Sequence, residues 1–214
     1  MANSSYGLIG PTIGSDNTVQ QIRMCKQGSQ INSNLHALCY EQTYRGNVFS
    51  LSVTSAAAIT AYTGGAGGTP QIAVYNPAGS GRNAVMLFAN YANVVAASAA
   101  GTVAWGIYFG QTAAITQATT TAPTSMVTLA TGGSVMTGFR NVALTSGTAA
   151  AGVLAVGSYY WATAAAAALV SQPSEIELQG KLIIPPGAYC ALGGSAALTS
   201  ATWIGHLIWE EVPI

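Results

Sequence analysis

The chain has 214 residues, which is enough for one sizeable hydrophobic core or at most two small ones. Only 6% of its residues are charged, against roughly 25% in an ordinary soluble domain, and six basic side chains balance six acidic ones. This composition excludes electrostatic gathering of nucleic acid and argues against catalysis, since few side chains can hold charge or move protons. A neutral surface with few charges does little to prevent self-association, so we expect other subunits to cover much of it.

Two features bear on the compartment. The most apolar runs, at residues 149–156 and 162–170, are shorter than the roughly 20 residues of a spanning helix, and the N-terminus lacks the basic and apolar regions of a secretory signal. Cys25, Cys39 and Cys190 are odd in number and unrelated in spacing, which favours reduced thiols over a disulfide framework. We therefore predict a protein made in the cytoplasm, with no membrane partner.

Residues 1–45 differ in kind from the rest of the chain and are predicted to form an extended N-terminal arm. They contain Asn- and Gln-rich runs and have room for one short helix or strand near residues 18–26. The charged residues of this segment are Asp16, Arg23, Lys26, Glu41 and Arg45. The segment is either a poorly ordered terminus or an arm that becomes ordered against a partner.

From about residue 48 onward the pattern is that of β-strands. Phe49, Leu51 and Val53 alternate with Ser and Thr, which predicts a half-buried strand. A short apolar strand then leads to the turn sequence NPAGSG at residues 76–81. The run VMLF at residues 85–88 is apolar on both faces and predicts a central strand.

The later strands are predicted from the same kinds of pattern. One large apolar face is predicted for the residues Val103, Trp105, Ile107 and Phe109. A strand with one polar side is predicted from the alternation of Glu175, Glu177, Gln179 and Lys181 with apolar residues. The turn IPPG at residues 184–187 ends that strand, and a last strand at 202–212 is apolar on both faces as far as Glu210. Short strands, frequent turns and no helical period predict an all-β sandwich or barrel over residues 46–214.

Side chains that could do chemistry are few and scattered. The candidate nucleophiles and bases are Cys25, Cys39, Cys190, His36 and His206. His36 and Cys39 lie close in sequence, but their spacing is not that of a nucleophile motif, and His206 is interpreted as a core or interface histidine. Two histidines and three scattered cysteines do not supply a metal site. We predict no catalytic residues, no cofactor and no metal, and therefore not an enzyme.

Two weaker patterns also have a plainer interpretation. The pairs Glu175 with Glu177 and Glu210 with Glu211 could form acid–base pairs, but we interpret all four as solvated structural carboxylates. The aromatic residues Trp105, Tyr108 and Tyr159-Tyr160-Trp161 could form a sugar-binding platform. Neighbouring aromatic residues on a strand point to opposite faces, so at least one of them is expected in the core.

The order of turns and strands resembles that of jelly-roll virion proteins of tailed phages, especially capsid decoration (cement) proteins. The resemblance rests on RGNVF at residues 45–49, YNPAGSGRN at 75–83, IPPGAY at 184–189 and WEEVP at 209–213. It covers roughly residues 45–214, and its motifs are turns and strands, not catalytic signatures.

The resemblance implies an eight-stranded jelly-roll β-sandwich at residues 46–214 behind an N-terminal arm at 1–45, typically as a homotrimer. It also implies a position on the outside of the virion, where the trimer would staple neighbouring major capsid protein subunits. Several weak contacts to one shell gain affinity because each later contact is effectively intramolecular. On this interpretation Arg23, Lys26 and Arg45 would contact acidic residues of the capsid.

Three alternatives stay open at this point. A tail-fibre or receptor-binding jelly roll would bind sugars or a host surface through aromatic loops. A single jelly-roll major capsid protein that packages RNA usually carries a strongly basic arm, whereas this arm has three basic residues and two acidic ones. A cupin-like enzyme on the same fold would need a set of metal ligands that the chain does not offer.

Overall fold

The structure of the protein is a computed structural model. It describes residues 39–53, 57–59, 71–95, 101–109, 120–140, 152–161, 174–194 and 198–214. The chain divides into one unit at residues 1–40 and a second at residues 41–214, and the second contains all the described strands. Arg23, Lys26 and the element predicted near residues 18–26 lie outside the described residues.

The described elements, in chain order, are α1 (Tyr40–Tyr44), β1 (Val48–Ser52), β2 (Ala57–Ile59), β3 (Ile72–Tyr75), β4 (Arg82–Val95), β5 (Gly101–Phe109), β6 (Thr124–Ser125), β7 (Thr137–Arg140), β8 (Gly152–Trp161), β9 (Ser174–Ile184), β10 (Tyr189–Gly194) and β11 (Leu198–Pro213).

The strands form two antiparallel sheets, which confirms the all-β prediction. The first sheet has the order β6–β1–β11–β4–β9, with β2 also pairing with β11. The second sheet has the order β7–β3–β10–β5–β8. The single helix of the described residues, α1, is five residues long and was not predicted.

The hydrophobic core contains the inward-facing side chains of both sheets. Trp105 on β5 and Trp203 and Trp209 on β11 are its largest members, each at most 2% exposed. Ile72 and Val74 on β3 are fully buried beside them. Full burial of one large apolar side chain stabilises the fold by roughly 1.5–3 kcal/mol, so each of these side chains contributes substantially.

The strand face predicted from residues 103–109 is confirmed for three of its four members. Val103, Trp105 and Ile107 belong to the core, whereas Phe109 is 46% exposed. Phe109 is the last residue of β5 and pairs with Gly152, which has no side chain to cover it. The apolar run at 85–88 is also confirmed as part of an interior strand, since β4 pairs with β11 and β9.

β1 differs from the half-buried strand that we predicted. Ser50 is 8% exposed, and within β1 only Ser52 is exposed. Because β1 lies inside the first sheet, Ser50 is flanked by Ile208 on β11 and Thr124 on β6. Larger neighbours on both sides shield the short serine side chain from water.

β9 has the predicted polar side, and it also contains an irregularity. Glu175, Glu177 and Lys181 are exposed, while Leu178 is buried. Gln179 and Gly180 have φ values of 48° and 79°. The register between β4 and β9 shifts at this point, so the extra residues form a β-bulge that bends the edge strand.

The two turns predicted at residues 76–81 and 184–187 lie side by side. The side chain of Asn76, which is fully buried, donates through Nδ2 to the carbonyl oxygens of Arg82 and Ile184, both at 2.8 Å. Gly187 N–H donates to the carbonyl of Asn76 at 2.7 Å, and Ala188 N–H closes the second turn on the carbonyl of Pro185 at 3.1 Å. One asparagine therefore connects two turns that are distant in sequence.

Candidate functional site

Arg45, a capsid-contact residue of the sequence analysis, lies at the end of α1. The helix stops because Gly46 adopts φ 77°, a left-handed conformation that glycine tolerates best. Gly46 N–H donates to the carbonyl of Thr43 and Asn47 N–H donates to that of Gln42, both at 3.0 Å. This pair of bonds is a Schellman motif, which turns the chain from α1 into β1.

The charge of Arg45 is partly compensated within the helix. Its Nε lies 2.8 Å from Glu41 Oε1, in an ion pair one helical turn long whose side chains are 45% and 60% exposed. Exposed pairs of this kind stabilise a protein by about 0.3–0.5 kcal/mol, because water screens them. The ion pair with Glu41 therefore adds little to the stability of the protein.

A cleft of about 320 Å³ lies between α1 and the C-terminal end of β11. Its lining residues are Glu41, Gln42, Arg45, Asn47, Glu210, Glu211, Val212 and Pro213. A backbone hydrogen bond joins the segment after α1 to β11 beside the cleft, since Glu211 N–H donates to the carbonyl of Asn47 at 2.8 Å. Partial burial raises the pKa of Glu210 on its rim. The accessible charged side chains of its lining are the carboxylates of Glu41 and Glu210 and the guanidinium of Arg45.

Glu211 is not the solvated carboxylate that we predicted. It is 1% exposed, and its Oε1 accepts hydrogen bonds from Ser134 Oγ and, at 3.4 Å, from Trp209 Nε1. Its Oε2 accepts from Val135 N–H at 3.3 Å and lies 3.8 Å from Arg82 Nη1. The alternation of β11 points Glu211 to the same side as Trp209, and the loop before β7 provides the donors that make its burial tolerable.

Of the candidate chemical groups, Cys190 and His206 lie in different sheets of the sandwich. Cys190 faces the core from the second sheet, and burial raises the pKa of its thiol to about 12, which keeps it protonated and unreactive. His206 lies on the outer side of β11, with its ring 6.0 Å from that of Phe88, and burial lowers its pKa. Cys25 and His36 lie outside the described residues, and Cys39 directly precedes α1.

Metal ligands do not converge within the described ranges, where no group of three His, Cys, Asp or Glu side chains could hold an ion. The proposed aromatic platform is likewise not assembled from Trp105 and Tyr108. Trp105 faces the core, and Tyr108 belongs to a separate buried cluster on the opposite side of the second sheet.

That second cluster lies on the outer side of the second sheet. Tyr75, Tyr189 and Tyr108 are neighbours on β3, β10 and β5, and the rings of Tyr108 and Tyr189 stack with centroids 4.8 Å apart. The Tyr108 ring lies over Gly106, where a Cβ atom would come within 2.6 Å of its hydroxyl oxygen. All three tyrosines are at most 5% exposed, so they do not offer a platform to a sugar.

The outer side of the first sheet carries apolar side chains among polar ones such as Asn90 and Glu177. It carries Val85 and Phe88 on β4 and Ile204 and Ile208 on β11, all partly exposed, and Ile183 on β9, which is 48% exposed. An antiparallel sheet with one solvated face normally carries polar residues there. We call these five residues the apolar face.

Comparisons with protein-family models, with curated proteins and with solved structures found no match for this chain. Among the described residues, no helix has the length and apolar character needed to cross a membrane.

Proposed function

We propose that the protein is a virion structural protein that binds the outside of a phage capsid and staples neighbouring major capsid protein subunits. The observation that carries this proposal is the order in which the strands pair. The sequence resemblance supports it independently, because it rests on turn and strand patterns and not on the pairing of strands.

The pairing order supports a jelly roll. Apart from β2, β6 and β7, the described strands are β1, β3, β4, β5, β8, β9, β10 and β11. The first of these pairs with the eighth, the second with the seventh, the third with the sixth and the fourth with the fifth, all antiparallel. Winding one long hairpin into two sheets gives this nested order, and jelly rolls are frequent among viral capsid proteins.

The surface of the sandwich supports a role in contacts between proteins. The apolar face and the low charge content would leave a poorly solvated exterior if the protein stayed alone. Contacts made by such surfaces depend little on salt, since few exposed charges take part. A protein that holds a capsid together from the outside needs contacts of this type at many equivalent positions on the capsid.

We assign the initial capsid contact to Arg23, Lys26 and Arg45, which would pair with acidic residues of the major capsid protein. For Arg45 the support is its exposed position beside the cleft and the weak ion pair with Glu41. For Arg23 and Lys26 the support is the sequence alone. The proposal includes a homotrimer as the unit that binds.

Co-sedimentation with expanded tailed-phage capsids that lack their own decoration protein tests this function. We expect the full chain to pellet with the capsids and a chain without residues 1–30 to stay in the supernatant while keeping the same circular dichroism spectrum. Undiminished binding of the shortened chain would contradict the role of the arm. Failure of the full chain to bind would contradict the proposed function.

The light-scattering mass of the purified protein separates the remaining alternatives. A trimer is the expected mass, whereas closed shells formed by the protein alone would favour a single jelly-roll major capsid protein. For a receptor-binding module the described residues give no specific support, because Trp105 and the tyrosine cluster are buried.

A further inference from the structure

Leu129 combines a strained backbone conformation with an exposed apolar side chain. It lies in the loop between β6 and β7, and its φ of 57° places it in the left-handed region. Its side chain is 75% exposed. The other non-glycine residues with a positive φ in the described ranges are Cys39 and Gln179, so among them Leu129 alone has a large, branched apolar side chain.

The backbone at this position favours residues other than leucine. Leu129 N–H donates to the carbonyl of Ser125 at 3.0 Å, the bond of a single helical turn whose last residue is left-handed. In that conformation a Cβ atom crowds the following carbonyl oxygen, so glycine or asparagine is the usual residue. The chain has Gly46, with φ 77°, at the comparable position after α1.

Burial within the chain does not favour leucine here either. An apolar side chain stabilises a fold by leaving water, but most of the surface of Leu129 remains in contact with water. Neither the local conformation nor packing therefore accounts for this residue type. Strained residues cluster at sites that bind a ligand or a partner, where a contact outside the fold offsets the strain.

Hydrogen bonds hold the loop around Leu129 in one shape. Ser125 N–H donates to the carbonyl of Ala130 at 2.9 Å, and Ser125 Oγ accepts from Val127 N–H at 3.4 Å. Thr128 Oγ1 accepts from Ala130 N–H at 3.3 Å. A side chain carried on a preformed loop loses little freedom when it binds, which favours affinity.

The loop adjoins the proposed capsid contact at Arg45. Val127, two residues before Leu129, is 43% exposed, and its Cγ1 lies 3.8 Å from the position that a Cβ atom would take on Gly46. Gly46 directly follows Arg45, whose side chain is 45% exposed. Exposed apolar and cationic side chains are therefore carried by two neighbouring segments of the sandwich.

We propose that Leu129 inserts into an apolar pocket of the major capsid protein, beside the acidic residues that Arg45 would contact. This inference rests on the proposed function and adds an apolar anchor to it. The pocket must be apolar, because removal of the leucine side chain from water is what offsets the strain of its backbone. An apolar centre with charged groups at its rim is also the usual arrangement of a contact between proteins.

The test is co-sedimentation with expanded, undecorated tailed-phage capsids, measured as the apparent Kd of the wild type and of Leu129→Asn. Asparagine tolerates the left-handed conformation but lacks the apolar side chain. Leu129→Asn should therefore weaken capsid binding by about tenfold or more. The same variant should raise the melting temperature by about 1–3 °C, because the backbone strain is relieved. A leucine that only stabilised the loop would give a lower melting temperature instead.

Two further variants complete the design. Leu129→Met keeps an apolar side chain of similar volume and should bind capsids within about threefold of the wild type. Val94→Thr is the matched control, because Val94 is a 54% exposed apolar residue near the end of β4, and it should leave capsid binding unchanged.

The outcomes separate this inference from the proposed function. A wild type that binds capsids together with a Leu129→Asn variant that binds equally well would overturn the inference and leave the proposed function standing. A wild type that does not bind capsids would contradict both. Binding of the wild type to phosphatidylcholine vesicles, lost in Leu129→Asn, would also overturn the inference, because the loop would then contact lipid and not a protein pocket.

Discussion

Glu211 illustrates how a single residue can connect parts of the chain that are far apart in sequence. Its carboxylate accepts hydrogen bonds from the loop before β7 and from Trp209, and it lies near Arg82 at the start of β4. A buried carboxylate is tolerated only when its oxygens are satisfied, and here both are. The loop is therefore held against the end of β11 by polar bonds inside a mainly apolar molecule.

Replacing Glu211 tests this role against an exposed carboxylate that also forms an ion pair. Glu211→Ala leaves Ser134, Val135 and the indole of Trp209 without their acceptor and should lower the free energy of unfolding by about 3 kcal/mol. Glu41→Ala removes only the exposed pair with Arg45 and should cost about 0.5 kcal/mol or less. Chemical denaturation measures both. Similar losses for the two variants would show that burial of Glu211 contributes nothing.

The burial of Glu211 could have been predicted from the sequence. Residues 203, 205, 207 and 209 share one side of β11, and period-two alternation places residue 211 on that side as well. We nevertheless predicted a solvated side chain, because isolated carboxylates are rarely buried. The donors that make its burial tolerable come from residues 134 and 135, and no local pattern connects those residues to β11.

Among the elements, the turns were the most predictable from sequence. Pro186 precedes Gly187, whose φ of 86° fits the third position of a type II turn. The sequence IPPG contains this preference directly, because proline fixes a negative φ and glycine tolerates a positive one. The five-residue helix α1 was missed because it is too short to show a helical period, and its end is set by Gly46.

Gly187 and Gly79 provide a matched test of the turn. A Cβ atom at either position would meet no other atom within 4 Å, but only Gly187 has a positive φ. Gly187→Ala should therefore lower the melting temperature through backbone strain of about 1–2 kcal/mol. Gly79→Ala should leave stability unchanged within about 0.5 kcal/mol. Equal melting temperatures for the two variants would contradict the assignment of strain to Gly187.

Strand pairing could not be predicted in the same way. Alternation identifies a strand and its buried side, as it did for β5 and β9, but it does not identify the neighbour. β1 pairs with β11 at the opposite end of the chain, and Phe49 lies opposite Trp209 only because the whole sandwich has formed. The shielding of Ser50 by Ile208 and Thr124 depends on that pairing, which explains why β1 was predicted to be half exposed.

At the scale of the whole molecule, the composition and the architecture agree. A sandwich with few charges, an apolar outer face and nested strand pairing has the properties expected of a unit that functions within an assembly. The cleft beside Arg45 adjoins the outer side of the first sheet at Glu210, which lines the cleft and pairs with Val85. In the proposed function, the cleft beside Arg45 is the surface that would contact the capsid.

The most direct test of the proposed function is cryo-electron microscopy of expanded, undecorated tailed-phage capsids incubated with the purified protein. Our account predicts added density on the outer surface, at the points where neighbouring capsid subunits meet, with the shape of a two-sheet sandwich. Bare capsids at saturating protein concentration, or density confined to the tail, would contradict it.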